Sequence, residues 1–238
     1  MLLENDISQI TKLYNSINKT DEFEIMFNNY RNDNKLSLNN FVNVLKYIKW
    51  RGDNESLNLT NEHILDVIYM EDSENSKNKI VYRASINGID HINNFLKLVH
   101  MRKNHIIFSI LMTQFINDSN FSFIKKTKNN VKLMDLDDYD IRIRVASEES
   151  IDNKMINKLA NLPISQGNRI VFRLKNRVSL KLIDNNMEKL FLDLTIVKFS
   201  DNPNNLDNND KTFELELDYT CNGKINSKTL DVIIKEIE

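Results

Sequence analysis

The chain has 238 residues, a mass of 28.0 kDa and a net charge of −2, with 28% charged and 41% hydrophobic residues. This length suits one domain with a sizeable core, and the near-neutral charge disfavours a general nucleic-acid coat, which would be basic. We find no apolar run of the ~20 residues that a membrane span needs, and no secretory signal pattern. The one cysteine, Cys221, excludes an internal disulfide and suits a reducing, cytoplasmic compartment.

Hydrophobic periodicity predicts most of the helices in the first half of the chain and most of the strands in the second. In chain order the predicted elements are a helix over 6–17, a strand over 22–27, a helix over 37–48, strands over 63–70 and 79–86, a helix over 89–99, strands over 121–128 and 139–145, a helix over 151–162, strands over 169–182, 190–199 and 212–219, and a helix over 230–237. The apolar run after His105 fits either a helix or a strand. Many antiparallel strands with few helices predict an α+β fold that is mainly β, a barrel or sandwich with helices packed outside.

Several common catalytic motifs are absent from the sequence. The glycines that a dinucleotide-binding loop or a P-loop would cluster are instead spread over Gly52, Gly88, Gly167 and Gly223. There is no G-x-S-x-G nucleophile elbow. The four histidines form no H-x-x-x-H pair, and a single cysteine adds little, so a zinc site is disfavoured.

Several predicted strands carry charged residues of one sign along one face. Residues i and i+2 of a strand face the same side, so each set shares one side of its strand. The acidic sets are Glu22 with Glu24, and Glu214 with Glu216 and Asp218. The basic sets are Arg142 with Arg144, and Arg173 with Lys175 and Arg177, while Asp193 and Thr195 share a further face.

An amphipathic sheet with its charged face in water is the ordinary explanation for any one such strand. A strand of one sign, however, suffers like-charge repulsion unless something compensates it. If acidic and basic strands share one interior, the acids can bind a cation and the bases can hold a polyanion. Mg²⁺ and Mn²⁺ prefer oxygen ligands, and phosphate chains prefer Arg and Lys. The pattern therefore favours metal-dependent chemistry on a phosphate ester or anhydride.

The order of these motifs resembles that of the triphosphate tunnel metalloenzymes, in particular the RNA 5′-triphosphatase branch that serves mRNA capping in fungi and DNA viruses. The motifs that carry the resemblance are, in chain order, Glu22-Phe-Glu24, the strands that contain Lys126 and Arg142, Arg173-Leu-Lys175-Asn-Arg177, Asp193-Leu-Thr195, and Glu214-Leu-Glu216-Leu-Asp218. Within that branch the chain is most similar to the N-terminal triphosphatase domains of mimivirus-type capping enzymes.

The resemblance implies a fold and an activity. The fold is a single domain over 1–238, with an N-terminal helix in 1–20, an eight-stranded antiparallel barrel with helical insertions over 21–219 that forms a tunnel, and a C-terminal helix in 220–238. The activity is metal-dependent removal of the γ-phosphate from triphosphate-ended RNA, the first step of mRNA capping, with NTPs as further candidate substrates. The implied cofactor is Mg²⁺ or Mn²⁺.

The resemblance also implies partners and a location. The partners would be the guanylyltransferase and methyltransferase parts of a capping enzyme. The K-x-D-G motif of the guanylyltransferase is absent, so this chain would be the triphosphatase part only. The location would be intracellular, with a viral factory or a virion implied by the resemblance.

The resemblance further assigns roles to single residues. The metal ligands would be Glu22, Glu24, Glu214 and Glu216. The phosphate-binding residues would be Arg83, Lys126, Arg142, Arg173, Lys175, Arg177 and Thr195. Glu216 or Asp218 would orient the attacking water, and Asp193 would hold a neighbouring Arg or Lys in place. Together with the Arg173–Lys175–Arg177 set, these three acids are the predicted catalytic residues.

Three positions depart from the patterns of the family. Phe191 occupies a position that is usually basic in this branch, so one phosphate contact is missing or comes from elsewhere. Asp218 is one methylene shorter than the usual Glu. Met26 stands where the thiamine triphosphatase and class-IV cyclase branch carries a lysine, which argues against that branch.

Two alternatives to RNA triphosphatase activity stay open at this point. One is a general NTP or inorganic polyphosphate hydrolase that uses the same tunnel. The other is a non-catalytic barrel that binds a polyanion or serves as a scaffold subunit, for which tight binding without turnover would be the signature.

Overall fold

The computed structural model describes residues 2–18, 21–27, 36–70, 80–100, 111, 118–127, 131–151, 154–155, 169–222 and 226–237. Its helices are α1 (Glu4–Tyr14), α2 (Leu38–Asn54), α3 (Ile89–Val99) and α4 (Ser227–Ile237). Its strands are β1 (Asp21–Phe27), β2 (Asn58–Met70), β3 (Ile80–Asn87), β4 (Phe121–Thr127), β5 (Lys132–Leu136), β6 (Ile141–Ser150), β7 (Arg169–Asp184), β8 (Glu188–Ser200) and β9 (Lys211–Cys221).

Eight of these strands close into an antiparallel barrel. The strand order is β1-β9-β8-β7-β2-β3-β4-β6, and pairing between β6 and β1 closes the ring. At the closing seam Glu22 pairs with Ala146 and Ile25 with Ile143. The extra strand β5 pairs with the first half of β6, beyond the ring. The prediction of a mainly β fold with an eight-stranded antiparallel barrel and outer helices is confirmed.

The apolar faces of the strands point outward, and helices cover them. In β1 the side chains of Phe23 and Ile25 are fully buried, while Glu22 and Glu24 lie on the opposite face, which lines the barrel cavity. One apolar cluster joins these strands to helices α1, α2 and α4, and a second joins β2, β3 and β7 to α3. Each large apolar side chain buried in this way contributes about 1.5–3 kcal/mol to folding. The hydrophobic core therefore lies around the barrel, and the cavity is left to polar groups.

The helices cover the barrel because their apolar residues recur at helical spacing. Helix α1 buries Ile10 and Tyr14, one turn apart. In α2 the side chain of Ser37 accepts a hydrogen bond from the backbone N–H of Asn40 (3.2 Å) and so caps the first turn. In the part of the chain that the structure describes, no helix is both long and apolar enough to cross a membrane.

The structure differs most from the sequence prediction at β2, β5 and β6. Strand β6 runs to Ser150, five residues past its predicted end at residue 145. Strand β2 begins at Asn58, five residues before the predicted start, because polar residues of its first half still pair with β7 as far as Lys181. Strand β5 was not predicted, because its short sequence runs into the acidic stretch Asp135–Asp140, which resembles a loop. The apolar run after His105 and most of the predicted helix over 151–162 lie outside the described residues.

Candidate functional site: a charged barrel cavity

The barrel encloses a cavity of about 840 Å³ that is lined mainly by charged side chains. Alternation along the strands places these residues inward, because their sequence neighbours are apolar and face the helices. Acidic lining residues come from β1, β2 and β9, and basic ones from β3, β4, β6 and β7. Opposite charges from different strands therefore meet inside the barrel, as the one-sign strands of the sequence indicate.

Three carboxylates gather on adjacent strands β1 and β9. Glu24, Glu216 and Asp218 each offer an oxygen, and these atoms all lie within 4.8 Å of one another. The register explains their proximity, because Glu24 pairs directly with Asp218, and Glu216 is two residues away on the same face of β9. We call Glu24, Glu216 and Asp218 the acid cluster. Glu24 is 8% exposed, so the cluster has little access to bulk water.

The proximity of like charges shifts the titration of the acid cluster. Burial, followed by the charges of Glu24 and Glu214, raises the pKa of Glu216 to about 8. Burial, followed by the charges of Glu216 and Glu24, raises the pKa of Asp218 well above its usual value. Both shifts have the same physical cause. Burial removes the hydration that stabilises an ionised carboxylate, and the neighbouring carboxylates repel its negative charge.

The acid cluster fits a hard divalent cation. Oδ1 of Asp218 is buried and has no hydrogen-bond partner among the described residues. Such an orphaned acceptor beside two other carboxylates is unfavourable unless a cation is added. An all-oxygen donor set is the type that Mg²⁺ and Mn²⁺ prefer. The other two acids that the sequence predicts as ligands, Glu22 and Glu214, form ion pairs with Lys126 and Arg173.

Glu22 belongs to a second charged group, which is centred on Lys126 of β4. The ammonium of Lys126 lies 3.3 Å from Glu22 and also contacts Glu148 of β6, which in turn lies 3.4 Å from Arg83. Burial opposes ionisation of Glu22. This effect is outweighed by the positive charge of Lys126, by a hydrogen bond with Glu148 and by the positive charge of Arg83, which together lower the pKa of Glu22 to about 2. Burial, followed by the charge of Glu22, raises the pKa of Glu148. The two carboxyls thus share one cation, with Glu22 the more readily ionised.

The basic strand β7 meets an acid at each of its three predicted residues. The guanidinium of Arg173 donates to both oxygens of Glu214 at 2.8 and 3.0 Å. The ammonium of Lys175 lies 2.5 Å from Asp66 of β2, and Nη1 of Arg177 lies 2.9 Å from Asp193 of β8. Asp193 therefore contacts Arg177, and the role predicted for it, holding a neighbouring Arg or Lys in place, stays a prediction.

Several hydrogen-bond donors in or beside the cavity lining are buried without a partner among the described residues. They are Nε of Arg83, Nε of Arg144, Nε of Arg177 and the hydroxyl of Thr195. Thr195 is 1% exposed and pairs across the sheet with both Arg177 and Glu214. A guanidinium has five N–H donors, so each Arg can keep its acid and still bind an added anion. These unpartnered donors indicate a cavity that is suited to a polyanion.

Two predicted positions lie toward the ends of the barrel. Arg142 forms a bidentate ion pair with Asp135 of β5 at 2.7 and 2.9 Å. Phe191 pairs with Lys181 of β7 and with Asp218 of β9. The Lys181 ammonium lies 5.8 Å from the centre of the Phe191 ring, so a cation is present beside this position although residue 191 is not itself basic.

Structure comparisons find the same arrangement of strands in a viral protein. The crystal structure of the RNA triphosphatase domain of a trifunctional mimivirus mRNA capping enzyme matches with a TM-score of 0.73 and 23% identity, over 99% of this chain and 96% of that one. The chain has the fold of the mimivirus triphosphatase domain. A triclinic structure of the mimivirus capping enzyme triphosphatase matches with a TM-score of 0.72 and 22% identity, over 100% and 96% of the two chains.

The predicted resemblance to this type of domain is thus confirmed at the level of the fold. A monoclinic form of the mimivirus triphosphatase gives a TM-score of 0.71 at 21% identity, with 99% and 97% of the two chains covered. Neither a protein-family model nor a curated protein sequence matches this chain.

Three charged residues of the site were not predicted from the sequence: Asp66 and Arg144, which line the cavity, and Glu148, which contacts the lining residues Lys126 and Arg83. Asp66 is 1% exposed and accepts a hydrogen bond from Ser85 at 2.7 Å as well as the contact from Lys175. The available signal was a single carboxylate between the fully buried Leu65 and Val67 of a strand. Glu148 lies beyond the predicted end of its strand at residue 145. Arg144, which contacts Glu24, shares a face with Arg142, and the sequence favoured Arg142 of the two.

The acid cluster predicts a pH dependence of stability for the protein without metal. A carboxyl whose pKa rises from 4.5 to about 8 on folding, as for Glu216, binds its proton more tightly in the folded chain. The free energy of unfolding should therefore fall as the pH rises through this interval. Glu22 and Asp66, with pKa values near 2, act only at lower pH. We expect the Tm to fall by several degrees between pH 6 and pH 9 in thermal denaturation with EDTA, since about 1 kcal/mol moves Tm by roughly 2–4 °C at this size.

Glu216→Gln provides the control for this pH dependence. The amide cannot ionise, so the variant should lose less stability than the wild type over the same pH interval. Equal slopes in the two proteins would show that the ionisation of Glu216 does not cause the dependence.

Proposed function

We propose that the chain is a metal-dependent RNA 5′-triphosphatase that removes the γ-phosphate of triphosphate-ended RNA as the first step of mRNA capping. The observation that carries the proposal is one cavity that holds both the acid cluster and unpartnered buried guanidinium donors. The cluster suits a divalent cation and the donors suit a phosphate chain. A simple anion binder would gain nothing from inward carboxylates. The fold shared with a viral RNA triphosphatase domain supports the same function.

Mg²⁺ or Mn²⁺ is the cation that we propose for the acid cluster, with Glu24, Glu216 and Asp218 as its ligands. When bound, it would neutralise charge that develops on the transferred phosphoryl group. Glu22 and Glu214, the other two predicted ligands, lie on the same strand faces and hold Lys126 and Arg173. Their role in the proposal is to fix these two cations in place for the phosphate chain.

The phosphate chain would be bound by cations on several strands of the barrel. In the proposal these cations are Arg83, Lys126, Arg144, Arg173, Lys175 and Arg177. The hydroxyl of Thr195 would donate a hydrogen bond to a phosphate oxygen, and Asp193 would orient Arg177. A carboxylate of Glu216 or Asp218 would accept a hydrogen bond from the attacking water and aim it in line with the leaving diphosphate. The product would be an RNA 5′-diphosphate, the substrate of a guanylyltransferase.

Release of labelled γ-phosphate from triphosphate-ended RNA tests the proposed function. We expect release with Mg²⁺ or Mn²⁺ and none with EDTA. ATP and tripolyphosphate are assayed in parallel to distinguish an RNA triphosphatase from a general NTP or polyphosphate hydrolase. A general hydrolase would process both compounds and would not favour RNA. Tight binding of triphosphate RNA without release under any metal would contradict an enzyme and support a binding barrel.

A further inference from the structure

The two ends of the barrel cavity differ in chemistry. At one end, where β1, β2, β4 and β8 end and the other barrel strands begin, the lining includes Met26, Ile68, Val81, Val131 and Leu133. We call this the apolar end. Toward the opposite end the lining carries Ser85, Asn87 and Ser122, which we call the polar end. The remaining apolar lining residues, Ile64 and Ala146, are 8% and 5% exposed, so they offer little contact surface.

Exposed apolar side chains at the apolar end lie beside arginines of the cavity. Leu133 of β5 is 57% exposed and pairs with Arg144 of β6. Phe199 is 47% exposed, lies on the same face of β8 as Asp193 and Thr195, and pairs with Arg173. Single exposed apolar residues are ordinary on protein surfaces. Here, however, they flank cations that would hold the phosphate chain, where a purely ionic ligand gains nothing from them.

We propose that the apolar end binds the 5′-terminal nucleoside of the substrate, so that the RNA enters the barrel from this end with its triphosphate directed toward the acid cluster. This inference rests on the proposed function. Nucleobases present apolar faces that stack on aromatic and aliphatic side chains. A volume of about 840 Å³ is within the range of pockets that hold a ligand with both apolar and polar parts, roughly 300–1,000 Å³. The order of charges along the cavity agrees with this direction, because the cations nearest the apolar end are Arg142, Arg144 and Arg173.

The first test compares substrates with and without a nucleoside. The quantity is the ratio of kcat/KM for triphosphate-ended RNA to kcat/KM for tripolyphosphate. Base stacking on a protein side chain is strong enough that we expect the ratio to fall about 5- to 20-fold in Leu133→Ser and in Phe199→Ala. The matched control is Leu98→Ser on α3, whose side chain is 46% exposed and lies outside the cavity lining. A ratio that stays within twofold of wild type in both Leu133→Ser and Phe199→Ala overturns the proposal.

The second test locates the nucleoside without requiring turnover. A triphosphate-ended oligonucleotide with 4-thiouridine as its first residue is bound to the full chain in EDTA and irradiated. We expect crosslinks within 21–27, 131–136 or 196–200. Crosslinks confined to 85–87 and 118–123, or no crosslink at all, overturn the proposal. Failure of the proposed function would look different, since RNA would then release no phosphate whatever the crosslinked peptide.

Discussion

Replacing Glu216 by Gln is expected to lower kcat/KM for triphosphate-ended RNA by at least about 100-fold, because the amide removes one charge from the proposed ligand set at its centre. Mn²⁺ binding followed by electron paramagnetic resonance should weaken in parallel. A loss of activity with unchanged Mn²⁺ affinity would instead assign Glu216 to orientation of the water. The Gln side chain has nearly the shape of Glu, and the raised pKa of Glu216, about 8, means that the metal-free fold already accommodates the neutral form.

Glu149→Gln is the matched control for this loss. Glu149 lies on β6, which β1 separates from the strand of Glu216. Its side chain is 58% exposed and pairs with Lys125 at 3.3 Å outside the cavity lining. It loses the same charge by the same change, so activity within about twofold of wild type is expected, as for an exposed pair. Equal losses in the two variants would indicate a general charge effect and contradict a metal site at Glu216.

Replacing Lys175 by Met is expected to destabilise the protein by about 3–5 kcal/mol, the usual consequence of leaving a buried ion-pair partner unpaired. Asp66 is 1% exposed, and Lys175 lies 2.5 Å from it. Burial opposes ionisation of Asp66, but Lys175, followed by Arg83, outweighs it and lowers its pKa to about 2. Without Lys175 the carboxyl of Asp66 must either stay ionised beside no close cation or take up a proton, and both cost free energy that the wild type does not lose. Urea denaturation monitored by circular dichroism measures the loss.

The double variant Lys175→Met with Asp66→Asn separates stability from activity. Removing both charges should recover most of the lost stability, because no buried charge then lacks a partner. Phosphate release should stay low, since the phosphate chain has lost one of its cations. Lys125→Met serves as the control, because its partner Glu149 is exposed and the expected change is below about 1 kcal/mol. Recovery of activity along with stability would contradict a role for Lys175 in binding phosphate.

The strands and the sides of them that face the helices were largely predictable from the sequence, because burial of one face makes apolar residues recur at every second position. In β1 and β9 the alternation of Glu with Phe, Ile or Leu determines both the strand and which side faces the helices. Strand β5 carried too few alternating residues to stand out from the acidic stretch that follows it. The beginning of β2 is polar, so only its pairing with β7 defines it.

The type of site, acids and bases around one cavity, was more predictable than the exact residues that meet in it. Which residues meet depends on the register between strands that are distant in sequence. Sequence spacing places Glu22 and Glu24 on one face, but it cannot show that Glu24 pairs with Asp218 while Glu22 reaches Lys126. Asp66 and Glu148 carry no motif of their own. They belong to the site because pairing of β2 with β7, and of β4 with β6, brings them to the lining residues Lys175 and Lys126.

The closing seam of the barrel has a consequence for the order of folding. Strand β1 pairs on one side with β6 and on the other with β9, which follows it by almost the whole chain. Contacts of such long sequence separation form late and slowly, because loop-closure entropy opposes them. Glu24 therefore meets Glu216 and Asp218 only when the last strand docks. A divalent cation that binds these three acids has no equivalent site in the open chain, so its binding energy would favour the closed barrel by mass action.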